Sequence, residues 1–477
     1  MKAVYNPCVS TAQPSRSALF PRSFTKAYPQ AVRGEGVWLY DAAGKKYLDS
    51  CGSAVVNFIG HGVKQVADAM AEQASKLEYV HGSQFVTDVA EQFAREVLDF
   101  AGENFRGGAV FFTSGGSEAV ETALKLARQY QIEIGQTKRH RILSRHQSYH
   151  GATLGAMAVS GNLLRREIYL PMLRDSTKVN SPYPYRCPYH CTDQCDKCGH
   201  KLAQELDEAL NSCHGEAAAF IFEPVSGATL GAVAPPNGYL RDIAGIAKRH
   251  GILLISDEVM TGFGRTGRNF CYEHWSKGDW APDIICAAKG IASGYAPLGA
   301  VIANAKVVDA IANGTGSLVH GFTYSAHPTA LAAGRAVLRI IREKDLVLAA
   351  TSDRRGYSDE RLKDSKETAG HKMRTGLRTL SDLPHVGDVR GIGLLWAVEF
   401  VSDKYARTPL APEKKFSAAV ANACMKRGVI VYPMQGSVDG ISGDHMLVSP
   451  PAVITTGEID WGVSQLREAI EEISRPS

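Results

Sequence analysis

The chain has 477 residues, of which 44% are apolar and 21% charged, and it carries 46 glycines. This is enough apolar chain for a large core in two or three domains, and the composition excludes disordered, collagenous and coiled-coil classes. The net charge of +4, from 53 Lys+Arg against 49 Asp+Glu, gives no electrostatic footprint for nucleic acid or an anionic membrane surface. The opening residues, MKAVYNPCVSTAQPSRSALFPRS, lack the apolar stretch of a signal peptide, and no apolar run reaches about 18 residues. The expectation is a cytoplasmic protein with neither membrane nor nucleic acid as partner.

Taken in chain order, GEGVWLYDAAGKKYLDS (34–50) reads as a short hairpin turning near Ala43-Gly44. GGAVFFTSGG (107–116) is a short apolar run stopped by glycine. The next segment places Val120, Ala123, Leu124 and Ala127 at helical spacing. HRILSRHQSYHG, AAAFIFEPV, GILLISDEV and PDIICAAKG repeat the short apolar run, with a helix at PNGYLRDIAGIAKRHG between two of them. Continuous rather than alternating apolar runs fit strands covered on both faces, hence a mostly parallel sheet flanked by helices. A long helix follows at ALAAGRAVLRIIREKD, then a charged, loosely patterned stretch (352–374) and an α+β tail. The expected organisation is an N-terminal segment of a small domain (1–60), a large α/β domain (61–335) and the rest of the small α+β domain (336–477). The small domain is thus assembled from both chain ends.

Polar residues fall at the carboxyl ends of these runs, where open α/β sheets place ligands. Ser114 to Glu118 opens a helix with two glycines, suited to a phosphate or merely to a capped helix start. Asp257 ends a buried run; it either caps the next helix or holds a proton on a heteroaromatic nitrogen. Lys289 is flanked by Ile284, Ile285, Ala287, Ala288, Ile291 and Ala292. Desolvation there would lower its pKa and free a nucleophilic amine, unless the side chain simply reaches out to solvent. Tyr149 could stack on a flat ring or belong to the core. A phosphate cradle, a carboxylate, a nucleophilic lysine and a stacking aromatic are together what pyridoxal phosphate requires.

These residues lie in segments that resemble the class III (omega-type) aminotransferases of fold type I. The segments are FFTSGGSEAVETALKLAR, SYHGATLGAMAVSG, FIFEPVSGATLGAVAPPNGYL, LLISDEVMTGFGRTG, PDIICAAKGIASGYAPLGAVI, GFTYSAHPTALAAG and VGDVRGIGLLWAVEF. The resemblance runs from about residue 34 to 455. It implies pyridoxal 5'-phosphate as cofactor, with Lys289 forming the Schiff base and then moving the proton. It further implies Asp257 on the ring nitrogen, Gly116 and Ser117 on the phosphate, and Tyr149 and Val259 on the two ring faces. Glu223 completes the cofactor contacts, and Thr323 reaches the phosphate of the neighbouring subunit. A homodimer, or a dimer of dimers, is implied with it. The implied reaction moves an amino group from a primary amine or omega-amino acid to a keto acid such as pyruvate, by a ping-pong mechanism. Relatives on the same scaffold catalyse phospho-lyase, aminomutase or decarboxylase reactions, and the motifs do not separate these. A binding protein that has kept the fold is disfavoured by the intact Lys289 and Asp257.

Several positions depart from the family pattern. Ser226 stands where Gln usually follows EPV. Met446 occupies the position of a tail arginine found in relatives that use gamma-aminobutyrate, and 434–443 contains no arginine. Ala54 replaces a tryptophan, which implies a roomier pocket. Carboxylates are usually held by a bidentate arginine; Arg390 is the remaining candidate in the matched segments, unless it is purely structural.

Ten cysteines without a secretory signal predict free thiols. Cys187, Cys191, Cys195 and Cys198, with His190 and His200 nearby, have spacing that could hold zinc; the last three also match an iron–sulfur spacing that belongs to a different fold. The expectation is instead an irregular insertion (181–200) marked by Pro182, Pro184 and Pro188, with no metal in the chemistry.

Overall fold

The structure is a computed structural model and describes residues 18–174, 176–189, 196–276, 278–352 and 368–475. Among these residues a seven-stranded sheet forms the centre. Its strands run in the order Ala109–Thr113, Gly299–Ala303, Ile284–Ala287, Leu253–Asp257, Ala217–Phe222, Arg141–Arg145 and Lys178–Val179. The strand Gly299–Ala303 is antiparallel to both neighbours, and the remaining pairs are parallel.

The continuous apolar runs have the predicted cause. Along Ala217–Phe222, Ala219 and Ile221 join one core cluster while Phe220 and Phe222 join another. The first is closed by Val120, Ala123 and Ala127 of the helix Gly116–Glu133. The second is closed by Leu202 and Leu206 of Asp196–Ser212 and by Leu240 and Ile243 of Tyr239–His250. Both faces are therefore sealed, at about 1.5–3 kcal/mol for each large buried side chain.

Two smaller sheets use the chain ends. The hairpin Trp38–Asp41/Lys46–Asp49 turns through Gly44, where Asp41 Oδ1 accepts from the amides of Ala43 (3.0 Å) and Lys45 (2.9 Å). Val429–Ile430 adds in parallel to Lys46–Asp49, joining the two ends of the chain. Val386–Ile392, Leu395–Asp403, Asp444–Val448 and Tyr432–Gln435 make an antiparallel sheet.

Two expectations change. The end of the charged stretch is ordered as a helix, Ala369–Arg378, because Thr368 caps it by accepting from the His371 amide; residues 353–367 lie outside the described residues. The insertion at 181–200 is irregular only in part, since the helix Asp196–Ser212 begins within it. No helix among the described residues is long and apolar enough to cross a membrane.

Candidate active site

Six strands of the central sheet run in one sense, and five of them, ending at Thr113, Arg145, Phe222, Asp257 and Ala287, bring these residues to the same edge. A cavity of 460 Å³ opens there, and Gly116, Ser117, Tyr149, Glu223, Asp257, Val259 and Lys289 all line it. Seven of the eight residues expected from the sequence thus converge on one place.

Lys289 stands two residues past the end of its strand and adopts a left-handed backbone, φ 49°. It lines the cavity, and its Nζ donates to Ala54 O at 3.2 Å. Ala54 itself belongs to a run from Gly52 to Val55 with φ of 53°, 50°, 66° and 64°. Left-handed backbone costs a side-chain-bearing residue about 1–2 kcal/mol, and such strain gathers at functional sites. Burial pushes the Lys289 ammonium down to about 8; the charges of Asp257 and Glu223 oppose this, and those of Arg265 and Arg165 add to it.

Asp257 is buried, and each of its oxygens has a partner. Oδ2 lies 2.7 Å from His150 Nδ1, and Oδ1 accepts from the Val259 amide at 3.1 Å. His150 is also buried, and its Nε2 has no partner among the described residues. Glu223 accepts from the amides of Gly227 (2.9 Å) and Tyr149 (3.2 Å). Burial raises the Glu223 pKa, against the opposing charge of His150.

The helix Gly116–Glu133 points its N-terminus into the cavity edge. Gly115 precedes it and offers no side-chain cap, so the first amides remain for an anion. Gly116 is required sterically: a Cβ there would meet Val259 Cγ1 at 2.8 Å. At Gly151 (φ 143°) a Cβ would meet Ser117 Oγ at 2.8 Å, and the same Oγ accepts from the Ala152 amide at 3.0 Å. An anion cradle, a part-buried and desolvated amine and a supported carboxylate are a donor set that fits pyridoxal phosphate.

Thr323 is not brought to this pocket: it is exposed, and its carbonyl accepts from Tyr79 Oη at 2.6 Å. Ser226 is buried, pairs through its backbone with Val233 and does not line the cavity. Met446 is wholly buried in the antiparallel sheet. Of the segment 52–57, Val56 lines the cavity, while Ala54 contributes its carbonyl to Lys289.

Arg390 is not available as a substrate anchor, because its guanidinium is already engaged. Nη1 bonds Asp388 (2.8 Å) and Glu399 (2.6 Å), Nε bonds Gly231 O, and Nη2 bonds Leu230 O and Tyr183 Oη. It is a structural cation. Sequence reasoning also missed His150, which follows Tyr149 in the matched segment SYHGATLGAMAVSG; a histidine beside a candidate site aromatic was the available signal.

In the cysteine cluster, Cys191, Cys195 and His190 lie outside the described residues. Cys187 is a buried free thiol with Sγ 3.2 Å from that of Cys198. Cys198 is disulfide-bonded, which departs from the expectation of free thiols. Among the described residues no group of three or more His, Cys, Asp or Glu gathers as a metal site.

The sequence profile of the aminotransferase class-III family matches residues 20–470. The chain belongs to that family. It is 35% identical to YodT of Bacillus subtilis (strain 168), an uncharacterized aminotransferase, over 96% of this chain and 98% of that protein. It is 32% identical to an adenosylmethionine-8-amino-7-oxononanoate aminotransferase of Geobacter sulfurreducens, covering 93% and 92%. Among solved structures, an amine transaminase from an uncultivated Pseudomonas species in its PLP-bound form is 34% identical, with TM-score 0.86 and coverage of 97% and 100%. An (S)-enantioselective omega-transaminase from Thermomicrobium roseum is likewise 34% identical, with TM-score 0.85 and 96% of each chain covered. As a class III aminotransferase the chain is a pyridoxal-phosphate enzyme of fold type I, a transferase of nitrogenous groups acting on small-molecule amines and keto acids.

Proposed function

We propose that this class III aminotransferase moves an amino group from a primary amine or omega-amino acid to a keto acid such as pyruvate, both half-reactions alternating at one site. The observation that carries this reading is the convergence of Lys289, the Asp257–His150 couple and an open helix N-terminus on one cavity. Pyridoxal phosphate, when bound, supplies an electron sink for the substrate's amine-bearing carbon. Of the residues lining the cavity, Gly116 and Ser117 would hold its phosphate, Tyr149 and Val259 would flank its ring, and Glu223 would border it. Asp257 would keep the ring nitrogen protonated, and His150 orients that carboxylate through its 2.7 Å hydrogen bond. Lys289, whose ammonium burial pushes down to about 8, would be the residue that holds the cofactor and would carry the transferred proton on Nζ.

The active form is a homodimer in which Thr323 serves the partner's phosphate. Support comes from the exposure of Thr323 and of the apolar Val319 and Tyr324 beside it. The donor is a primary amine or omega-amino compound whose far end needs no tail arginine, since Met446 is core and 434–443 has none. A panel of terminal amines, gamma-aminobutyrate and ornithine, followed at the cofactor's absorbance, tests this. Terminal amines should give the highest kcat/KM; a clear preference for gamma-aminobutyrate would contradict it.

A further inference from the structure

A keto acid presents a carboxylate, and with Arg390 engaged in the antiparallel sheet the pocket needs another cation. Two arginines have charges felt at Lys289, Arg265 and Arg165. Arg265 is buried and spends its donors on Asn57 O (2.7 Å) and Pro450 O (2.6 Å).

Arg165 differs. It stands on the short helical turn Leu163–Arg166, whose leucines seat the turn against 436–440: Leu164 packs at Gly436 and Leu163 at Gly440. Its guanidinium lies 4.5 Å from the centroid of the Tyr149 ring, and Tyr149 lines the cavity. Its hydrogen bond among the described residues is a weak one, Nη2 to Met434 Sδ at 3.7 Å. No carboxylate faces it among those residues. Arg165 does not itself line the cavity, but its partly buried guanidinium stacks on an aromatic that does, and its hydrogen bond among the described residues is to a thioether, which keeps its fork of N–H donors for a ligand. A carboxylate has the complementary charge and two acceptors at matching spacing.

We propose that Arg165 anchors the substrate carboxylate in this pocket. The assignment rests on the aminotransferase reading above and adds the group that recognises the acceptor. Tyr149 then has two duties, to flank the cofactor ring and to hold the anchor in place. Two carboxylates could fill the position, that of an alpha-keto acid or the distal one of an omega-amino acid, and the experiment separates them.

The half-reactions of the holoenzyme are followed separately for wild type, Arg165→Ala and Arg165→Lys with a benzylic amine, pyruvate and gamma-aminobutyrate. Arg165→Ala should raise KM for the carboxylate substrate by about 30-fold or more. Its kcat, and both constants for the uncharged-tail amine, should stay within about threefold, and Arg165→Lys should recover part of the loss. A loss confined to pyruvate assigns the keto-acid carboxylate, and one confined to gamma-aminobutyrate assigns the distal one. Equal losses with the benzylic amine would mean a merely structural arginine and overturn the proposal, as would no change with either carboxylate. Calorimetric binding of acetate to the holoenzyme separates this proposal from the reading beneath it. If no donor and acceptor pair turns over, acetate binding that is lost in Arg165→Ala still sustains the anchor, and only the reaction fails. Failure of wild type to bind acetate in that case would overturn the anchor.

Discussion

At Lys289 a left-handed backbone and a desolvated amine occur in one residue, and both are unfavourable unless the site uses them. Replacing Lys289 by alanine should abolish the cofactor's visible absorbance and stop turnover; a variant working at the wild-type rate would contradict its role. The lowered pKa also sets a pH dependence. Only the neutral amine attacks an aldehyde, so capture of pyridoxal phosphate by the cofactor-free enzyme should accelerate about tenfold per pH unit below pH 8 and level off above it. Stopped-flow absorbance from pH 6 to 9 checks this, and a flat profile would count against it. Asp257→Asn should still bind cofactor while losing roughly 10²–10³ in rate, the scale on which one preorganised electrostatic partner is felt.

Among the elements, the helix Gly116–Glu133 and the strand ends carry the site, and these were the parts most legible in the sequence. Strands buried on both faces write themselves as continuous apolar runs, so the polar residue at each end stands out. Lys289, Asp257 and Gly116 were visible for that reason. Gly116 gives an element-scale prediction: overpacking of about 1–3 kcal/mol against Val259 in Gly116→Ala should weaken cofactor binding by about 10- to 100-fold in a spectroscopic titration. What the sequence hid was pairing at a distance. His150 meets Asp257 across 107 positions, and nothing local announces it. Arg390 looked free as a string of letters, yet the register that sets Asp388 opposite Glu399 surrounds it with carboxylates. Arg165 was passed over because its site neighbours, Tyr149 and Met434, come from other segments.

For the molecule as a whole, two carboxyls, the buried Glu258 and the half-buried Glu273, tie stability to pH. Burial lifts both Glu258 and Glu273 to about 7, with the charge of each neighbouring carboxylate adding to it and hydrogen-bond donors opposing it. A raised carboxyl pKa means the folded state binds more protons than the unfolded one between about pH 4.5 and 7. That contribution is present at low pH and lost as pH rises through 7. Glu273→Gln should therefore shrink the fall in Tm between pH 5 and pH 8, read by calorimetry. Assembly is tested by mixing: Lys289→Ala and Thr323→Ala subunits, each inactive alone, should regain partial activity once reassembled together, because one composite site becomes whole. A fully active monomer would refute the shared site. The central claim, transfer of an amino group, is tested most directly by product balance. Purified holoenzyme given a primary amine and pyruvate should form carbonyl product and alanine one for one, with no free ammonia. Carbonyl product accompanied by ammonia and no alanine would contradict it.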